Sequence, residues 1–183
     1  YRALHPLFNL LQPKRNADMV QSMLKHSEQS VHGLLPVWSH MGNENWCMIG
    51  YHATSVLSDA YIKGVTRHCE ERSNPERLLK AMQRSSTCPY YVNLDDYQEL
   101  GYVPFDRNNG CVSVTLEYAY DDWAIYQAAL KAGDAEMAEL YKQRAANWRN
   151  TFDMEIGFAR PKMSDGRWKT PFSLMDTEGE GFV

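Results

Sequence analysis

The stretch Ser113–Gly133, SVTLEYAYDDWAIYQAALKAG, followed at once by Asp134, decides the fold. From Val112 its apolar and small residues run at helical spacing as far as Gly133, a residue suited to end a helix. Asp134 is suited to start the next one, predicted to end near Asp153. A break of two residues leaves almost no loop, and helices joined so tightly lie antiparallel.

Working outward, the same signals recur. Asn74, Pro75 and Glu76 form a cap, a first-turn proline and an acidic residue in the favoured order, predicting a helix through Gln83. Asn16 before Met19, Val20, Met23 and Leu24 predicts a helix over 17–31, closed by Gly33 and Pro36. Asn43 with Glu44 predicts a helix start, and Trp46, Met48, Ile49, Tyr51, Val56, Leu57 and Tyr61 extend it to about 63, before Gly64. Such a helix, apolar nearly all round, is expected inside a larger helical assembly. Residues 88–109 read as a long connection, and Ser164-Asp165-Gly166 as the turn of a small β-hairpin over 158–169. The fold class is therefore all-α, built of helical hairpins, and periodicity leaves bundle, solenoid and toroid open.

Composition removes several functions. The 183 residues are 44% hydrophobic and 23% charged, an ordinary globular balance. With 23 acidic and 19 basic residues interspersed there is no basic stripe for a nucleic-acid partner. No apolar run is long enough to span a bilayer, so no transmembrane segment is expected. Cys47, Cys69, Cys88 and Cys111 show no metal-ligand spacing and read as buried free thiols, and the six histidines show none either. GxSxG, GxGxxG and GxxxxGK[ST] are absent, which removes the usual signatures of acyl transfer, dinucleotide chemistry and P-loop phosphoryl transfer.

Two clusters could carry chemistry. Glu117 and Asp121, four apart on one helix face, oppose each other and call for compensation. Either they enter a polar cavity, with Asp122 beside them, or a cation from a neighbouring element neutralises them. In Gly42-Asn43-Glu44-Asn45-Trp46-Cys47, amides, a carboxylate and an indole could meet a polyol. Alternatively Asn43 simply caps and Trp46 is core, which leaves Asn45 unexplained.

At this point a resemblance enters. The run Leu35-Pro36-Val37-Trp38-Ser39-His40-Met41-Gly42-Asn43-Glu44-Asn45-Trp46-Cys47-Met48-Ile49-Gly50-Tyr51-His52 resembles the signature of glycoside hydrolase family 92, the α-mannosidases. So do Tyr1-Arg2-Ala3-Leu4-His5-Pro6-Leu7, Gly101-Tyr102-Val103-Pro104, Thr115–Trp123 and Gly157-Phe158-Ala159-Arg160-Pro161, in family order. His40 and Val114 depart from the expected pattern.

The resemblance implies a section of an (α/α)6 toroid behind an N-terminal β-sandwich. It also implies an exo-acting, inverting, calcium-dependent α-mannosidase that trims mannose from N-glycans or related α-mannosides and is secreted, periplasmic or at the cell surface. Inversion needs an acid and a base about 6.5 to 9.5 Å apart, and Ca2+, an oxygen-seeking cation, suits vicinal hydroxyls. Both ends of the chain read as cuts. The resemblance places a substrate-contacting Asp before Tyr1, and the general acid and base after Val183, so residues 1–183 alone are expected to be inactive. The implied partners are mannose-containing glycans and the rest of the same polypeptide. Arg2, Glu44, Asn45, Trp46, Glu117, Asp121 and Asp122 are the expected substrate-side residues, with the Ca2+ ligands outside this section. Another helical glycosidase, a glucosidase or trehalase relative, would need acidic motifs of its own, which are not seen. The alternative of another class is a non-catalytic helical carbohydrate-binding or scaffold module.

Overall fold

A computed structural model describes residues 1–69 and 74–182. Its helices are α1 (Leu4–Leu11), α2 (Pro13–Gln29), α3 (Ala53–Ile62), α4 (Pro75–Ser85), α5 (Leu94–Leu100), α6 (Cys111–Ala132) and α7 (Ala135–Ala145). Two short antiparallel pairs decorate them: β1 (Ser39–His40) with β2 (Asn43–Glu44), and β3 (Phe152–Asp153) with β4 (Phe158–Ala159). The all-α expectation holds.

The α6–α7 hairpin forms for the reasons written at its turn. Gly133 takes a left-handed conformation (φ 80°), and its amide and that of Asp134 donate back to carbonyls of the last turn of α6. The Asp134 carboxylate accepts from the Met137 amide at 3.0 Å, starting α7. Helix α6 packs against α7 on one side and α3 on the other, so Val112, Tyr118, Ile125 and Ala128 are fully buried. Side chains of this kind each contribute roughly 1.5–3 kcal/mol when they are as large as isoleucine. The Ser58 hydroxyl donates to the Ala124 carbonyl at 2.7 Å and ties α3 to α6.

Helix α4 starts as expected, with the Asn74 side chain accepting from the Glu76 amide, and runs two residues past Gln83. Other expectations change. Helix α7 stops at Ala145, eight residues short of Asp153, where the backbone tightens into a 3-10 turn over Ala146–Thr151. The helix expected over 17–31 begins at Pro13 and ends at Gln29, and α1 precedes it. Asn16 is no cap. It is buried inside α2, donates to Asn9 and meets His5 at 2.7 Å, which locks α1 against α2.

The helix expected over 44–63 is the largest correction, since helix begins only at Ala53. Asn43 and Glu44 are strand residues paired with His40 and Ser39. The buried Glu44 carboxylate accepts the backbone N–H groups of Val37 (2.6 Å), Trp38, Asn45 (3.0 Å) and Trp46 (3.1 Å). A side chain that gathers nearby amides in this way competes directly with helix formation. Trp46 (φ 62°) and Gly50 (φ 78°) then reverse the chain in left-handed conformations.

Within the connection of 88–109 lies α5, bounded by left-handed Asn93 and Gly101. The hairpin expected over 158–169 keeps its turn but little of its ladder. Met163 donates to Arg167 across Asp165-Gly166, and a single bridge joins Lys162 to Trp168, while Phe158 and Ala159 pair instead with β3. Cys69, Cys88 and Cys111 are buried free thiols as expected, and Cys47 is exposed. Among the described residues no helix is long and apolar enough to cross a membrane.

Candidate functional site

Two open cavities, about 460 Å3 and about 340 Å3, lie on either side of the chain start and share Tyr1, Arg2 and His5. The larger is floored by Glu117 and His52 and bordered by Trp38 and Met48, both substantially exposed. The smaller is walled by Tyr120 and Trp123 of α6 and by Asp59 and Lys63 at the end of α3.

Charges alternate from the surface inward. Arg2 is exposed and pairs with Glu117, to which the Tyr1 hydroxyl also donates at 3.3 Å. His52 Nε2 stands 3.7 Å from the same carboxylate. On the other edge of the ring, Nδ1 lies 3.1 Å from Asp121 Oδ2. Tyr1 stacks on the imidazole with ring centroids 4.5 Å apart and planes within 15°. The Glu117–Asp121 repulsion is thus answered by a histidine between the two carboxylates and an arginine outside them.

Burial, the largest single influence on His52, favours its neutral form, yet the Asp121 hydrogen bond and the charges of Asp121 and Glu117 together raise its pKa above the usual histidine value. Burial likewise raises Asp121, with the His52 hydrogen bond and charge holding it back. The Glu117 charge raises the Arg2 pKa, so Arg2 stays a cation throughout the working range.

Of the residues expected at the site, Arg2 and Glu117 come together at the cavity. Asp121 and Asp122 are fully buried and brace it from behind. Asp121 Oδ2 accepts the Tyr51 amide at 2.7 Å, pinning the entry to α3. Asp122 accepts from the hydroxyls of Tyr51 (2.6 Å) and Tyr97 (2.9 Å) and from Arg144 Nε (2.9 Å), joining that entry to α5 and α7. Neither carboxylate reaches a cavity wall.

The Glu44 cluster lies apart from the Arg2–Glu117 pair. Both Glu44 oxygens are engaged by backbone amides, so this carboxylate shapes its loop and is not presented to a ligand. Asn45 closes a local turn by accepting the Cys47 amide at 2.9 Å, which explains why an amide stands there. Trp46 packs edge-on against His32, Tyr90 and Tyr91 and borders a third cavity with Asn108 and Asn109.

His52, Tyr1, Trp38 and Met48 were not singled out by sequence reasoning. For His52 a signal existed in Gly50. A side chain there would overlap the His52 ring and approach Asp121 Oδ2 to 3.0 Å, so the glycine marks a close approach. Among the described residues no group of three His, Cys, Asp or Glu could hold a metal ion. Calcium takes 6–8 oxygen ligands, so the described residues do not by themselves fit a calcium site.

Comparisons with known proteins agree on one family. The family model described as the glycosyl hydrolase family 92 catalytic domain matches residues 1–183. The solved structure of the GH92 α-mannosidase BT3965 from Bacteroides thetaiotaomicron is 44% identical, with a TM-score of 0.89 over 99% of this chain and 24% of that one. Its complex with mannoimidazole matches at 46% identity and a TM-score of 0.85, over 93% of this chain and 22% of that one. The inverting GH92 mannosidase BT2199 from Bacteroides thetaiotaomicron VPI-5482 is 32% identical, with a TM-score of 0.88 over 99% of this chain and 24% of that one. No curated protein sequence matches. The chain spans about a quarter of the length of the solved relatives it matches. With residues 1–183 covered by the family model and identity above 30% over nearly the whole chain, the protein belongs to glycosyl hydrolase family 92, as part of its catalytic domain.

Proposed function

We propose that the full-length protein is an exo-acting, inverting, calcium-dependent α-mannosidase. In this reading it is exported and releases mannose from N-glycans or related α-mannosides. Residues 1–183 are a section of its (α/α)6 toroid, which docks on a β-sandwich and the remaining hairpins of the same polypeptide. The observation that carries the reading is the Arg2–Glu117 pair at the floor of a cavity bordered by Trp38. A guanidinium donates and a carboxylate accepts, so the pair can clasp adjacent hydroxyls of a pyranose, while an indole offers an apolar face.

The section binds and orients; it does not supply the acid and base. Inversion needs one carboxyl to protonate the glycosidic oxygen and a second to activate a water on the opposite face of the sugar ring. Asp121 and Asp122 are buried with internal partners and Glu117 is paired with Arg2, which supports a reading in which the acid and base come from outside 1–183. When bound, calcium would polarise and hold the vicinal hydroxyls of the sugar, with ligands from outside this section.

The test is mannose release by the full-length protein from α-mannosides, with the product anomer read by NMR and with or without a chelator. Release of β-mannose that stops on chelation is expected. Release of α-mannose overturns inversion, chelator-insensitive release overturns the calcium dependence, and binding without release leaves the carbohydrate-binding module in its place.

A further inference from the structure

We infer that His52, carrying a proton on each ring nitrogen, is a positioning residue that holds Glu117, and through it Arg2, at the floor of the larger cavity. The inference rests on the mannosidase reading for its kinetic arm alone.

The ring is 9% exposed and covered by Tyr1, so it acts through the residues around it. The groups facing it are Asp121 and Glu117 from α6, Tyr1 and Arg2 from the N-terminal segment, and Gly50 and Tyr51 from its own turn. Asp121 is fully buried and accepts the hydrogen bond that Nδ1–H donates. Nε2 is then directed at Glu117 Oε2, 3.7 Å away. With that nitrogen protonated, a cation separates two carboxylates set four residues apart, and the order from solvent inward is Arg2 plus, Glu117 minus, His52 plus, Asp121 minus. Once the ring loses its proton, Nδ1–H stays with Asp121 and the Nε2 lone pair faces a carboxylate oxygen. Repulsion replaces attraction, and Glu117 with Arg2 is released toward solvent. Nothing in this arrangement transfers a proton to substrate. The effect falls on binding geometry, hence on KM more than on kcat.

The experiment uses the full-length protein and an aryl α-mannoside, with kcat and KM measured from pH 4.5 to 9 for wild type, His52→Gln, Glu117→Gln and the double variant. At pH 5.5 His52→Gln is expected to raise KM about 10-fold, in the range for residues of one charge network. It should change kcat less than about 3-fold and remove the alkaline rise in KM. In the Glu117→Gln background the same substitution should change KM less than about 2-fold. Equal effects in both backgrounds would show a merely structural histidine and overturn the inference. A second arm needs no substrate and no folded His52 variant. NMR of 13C-histidine-labelled protein should show one buried histidine whose titration moves to lower pH in Glu117→Gln, because a carboxylate that favours the imidazolium is gone. A titration that does not move overturns the inference. If the wild type releases no mannose, the mannosidase reading fails while this arm still decides the His52–Glu117 coupling.

Discussion

The buried pair Asp122–Arg144 allows a prediction with both sign and size. Asp122 is fully buried, and Arg144 is 12% exposed, stacked 4.9 Å from the Tyr141 ring and donating to the Ser86 carbonyl at 3.0 Å. Asp122→Asn leaves the guanidinium enclosed without its counter-charge, and breaking a buried pair from one side costs about 3–5 kcal/mol. Arg144→Met acts differently. Burial already pushes the Asp122 carboxyl up to about 6, against the opposing pull of Arg144. With the cation removed the carboxyl rises further and takes up a proton in the folded state. A raised acid costs the fold stability progressively as pH rises from its unfolded to its folded pKa, because over that window the fold holds a proton that the unfolded chain has released. The cost of Arg144→Met should therefore be small at pH 5, grow by about 1.4 kcal/mol per pH unit from about 6, where the wild-type carboxyl titrates, and level off above the higher value of the variant. The cost of Asp122→Asn should be flat from about pH 7 to 8 and larger by about 1 kcal/mol at pH 5, where the wild-type carboxyl is protonated in the fold. In the double variant no charge is buried, and its cost should fall short of the sum of the single costs by at least about 1.5 kcal/mol at pH 8. The measurement is hydrogen exchange, read by mass spectrometry, of α6 and α7 peptides in the full-length protein, which gives opening free energies region by region. Additivity within about 0.5 kcal/mol, or an Arg144→Met cost equal at both pH values, would refute the reasoning.

His52 carries the opposite sign: its pKa is raised above the usual 6.5, so its stabilisation is complete below that value and is lost as pH rises through the raised one. Exchange protection of residues 50–58 should fall on alkalinisation from about 6.5 upward, and His52→Gln should abolish the fall; a drop that persists in the variant would rule this out. Gly50→Ala forces a side chain into φ 78° and onto the His52 ring. It should cost about 1–3 kcal/mol and raise KM for mannoside, whereas wild-type stability and KM would refute the close-approach argument. Glu44→Gln replaces one of two accepting oxygens with a donor facing backbone amides and should cost about 1–3 kcal/mol. The lost protection should be confined to residues 37–48, and loss spreading into α6 would show that Glu44 does more than staple its loop.

Much of the architecture is legible where the signal is local. Gly133-Asp134 and Asn74-Pro75-Glu76 specify chain direction through their own backbone and side-chain bonds, and the boundaries at those two signals fell within two residues of expectation, whereas the far end of α7, which carries no such signal, came eight residues early. The stretch 44–52 misleads because its apolar spacing is helical while its amides are already taken by Glu44, an acceptor whose reach no periodicity reveals. Short α1 was missed for the complementary reason, since its placement depends on Asn9 and His5 reaching Asn16 and Asp59 on other helices.

The site divides along the same line. From sequence alone follow the helical-hairpin class, the family, and the prediction that Glu117 and Asp121 need compensation, from a polar cavity or from a cation. Such features depend on neighbours a few residues apart or on ordered motifs. Which cation answers them depends on groups separated by 65 to 116 positions along the chain, brought together only when α6 packs against α3 and the chain start. Tertiary structure alone therefore decided that His52 and Arg2 share the task and that Asp121 and Asp122 turn inward. A carboxylate's role is set by which charges and amides lie within about 4 Å of it in a low-dielectric interior, and chain order does not encode that distance.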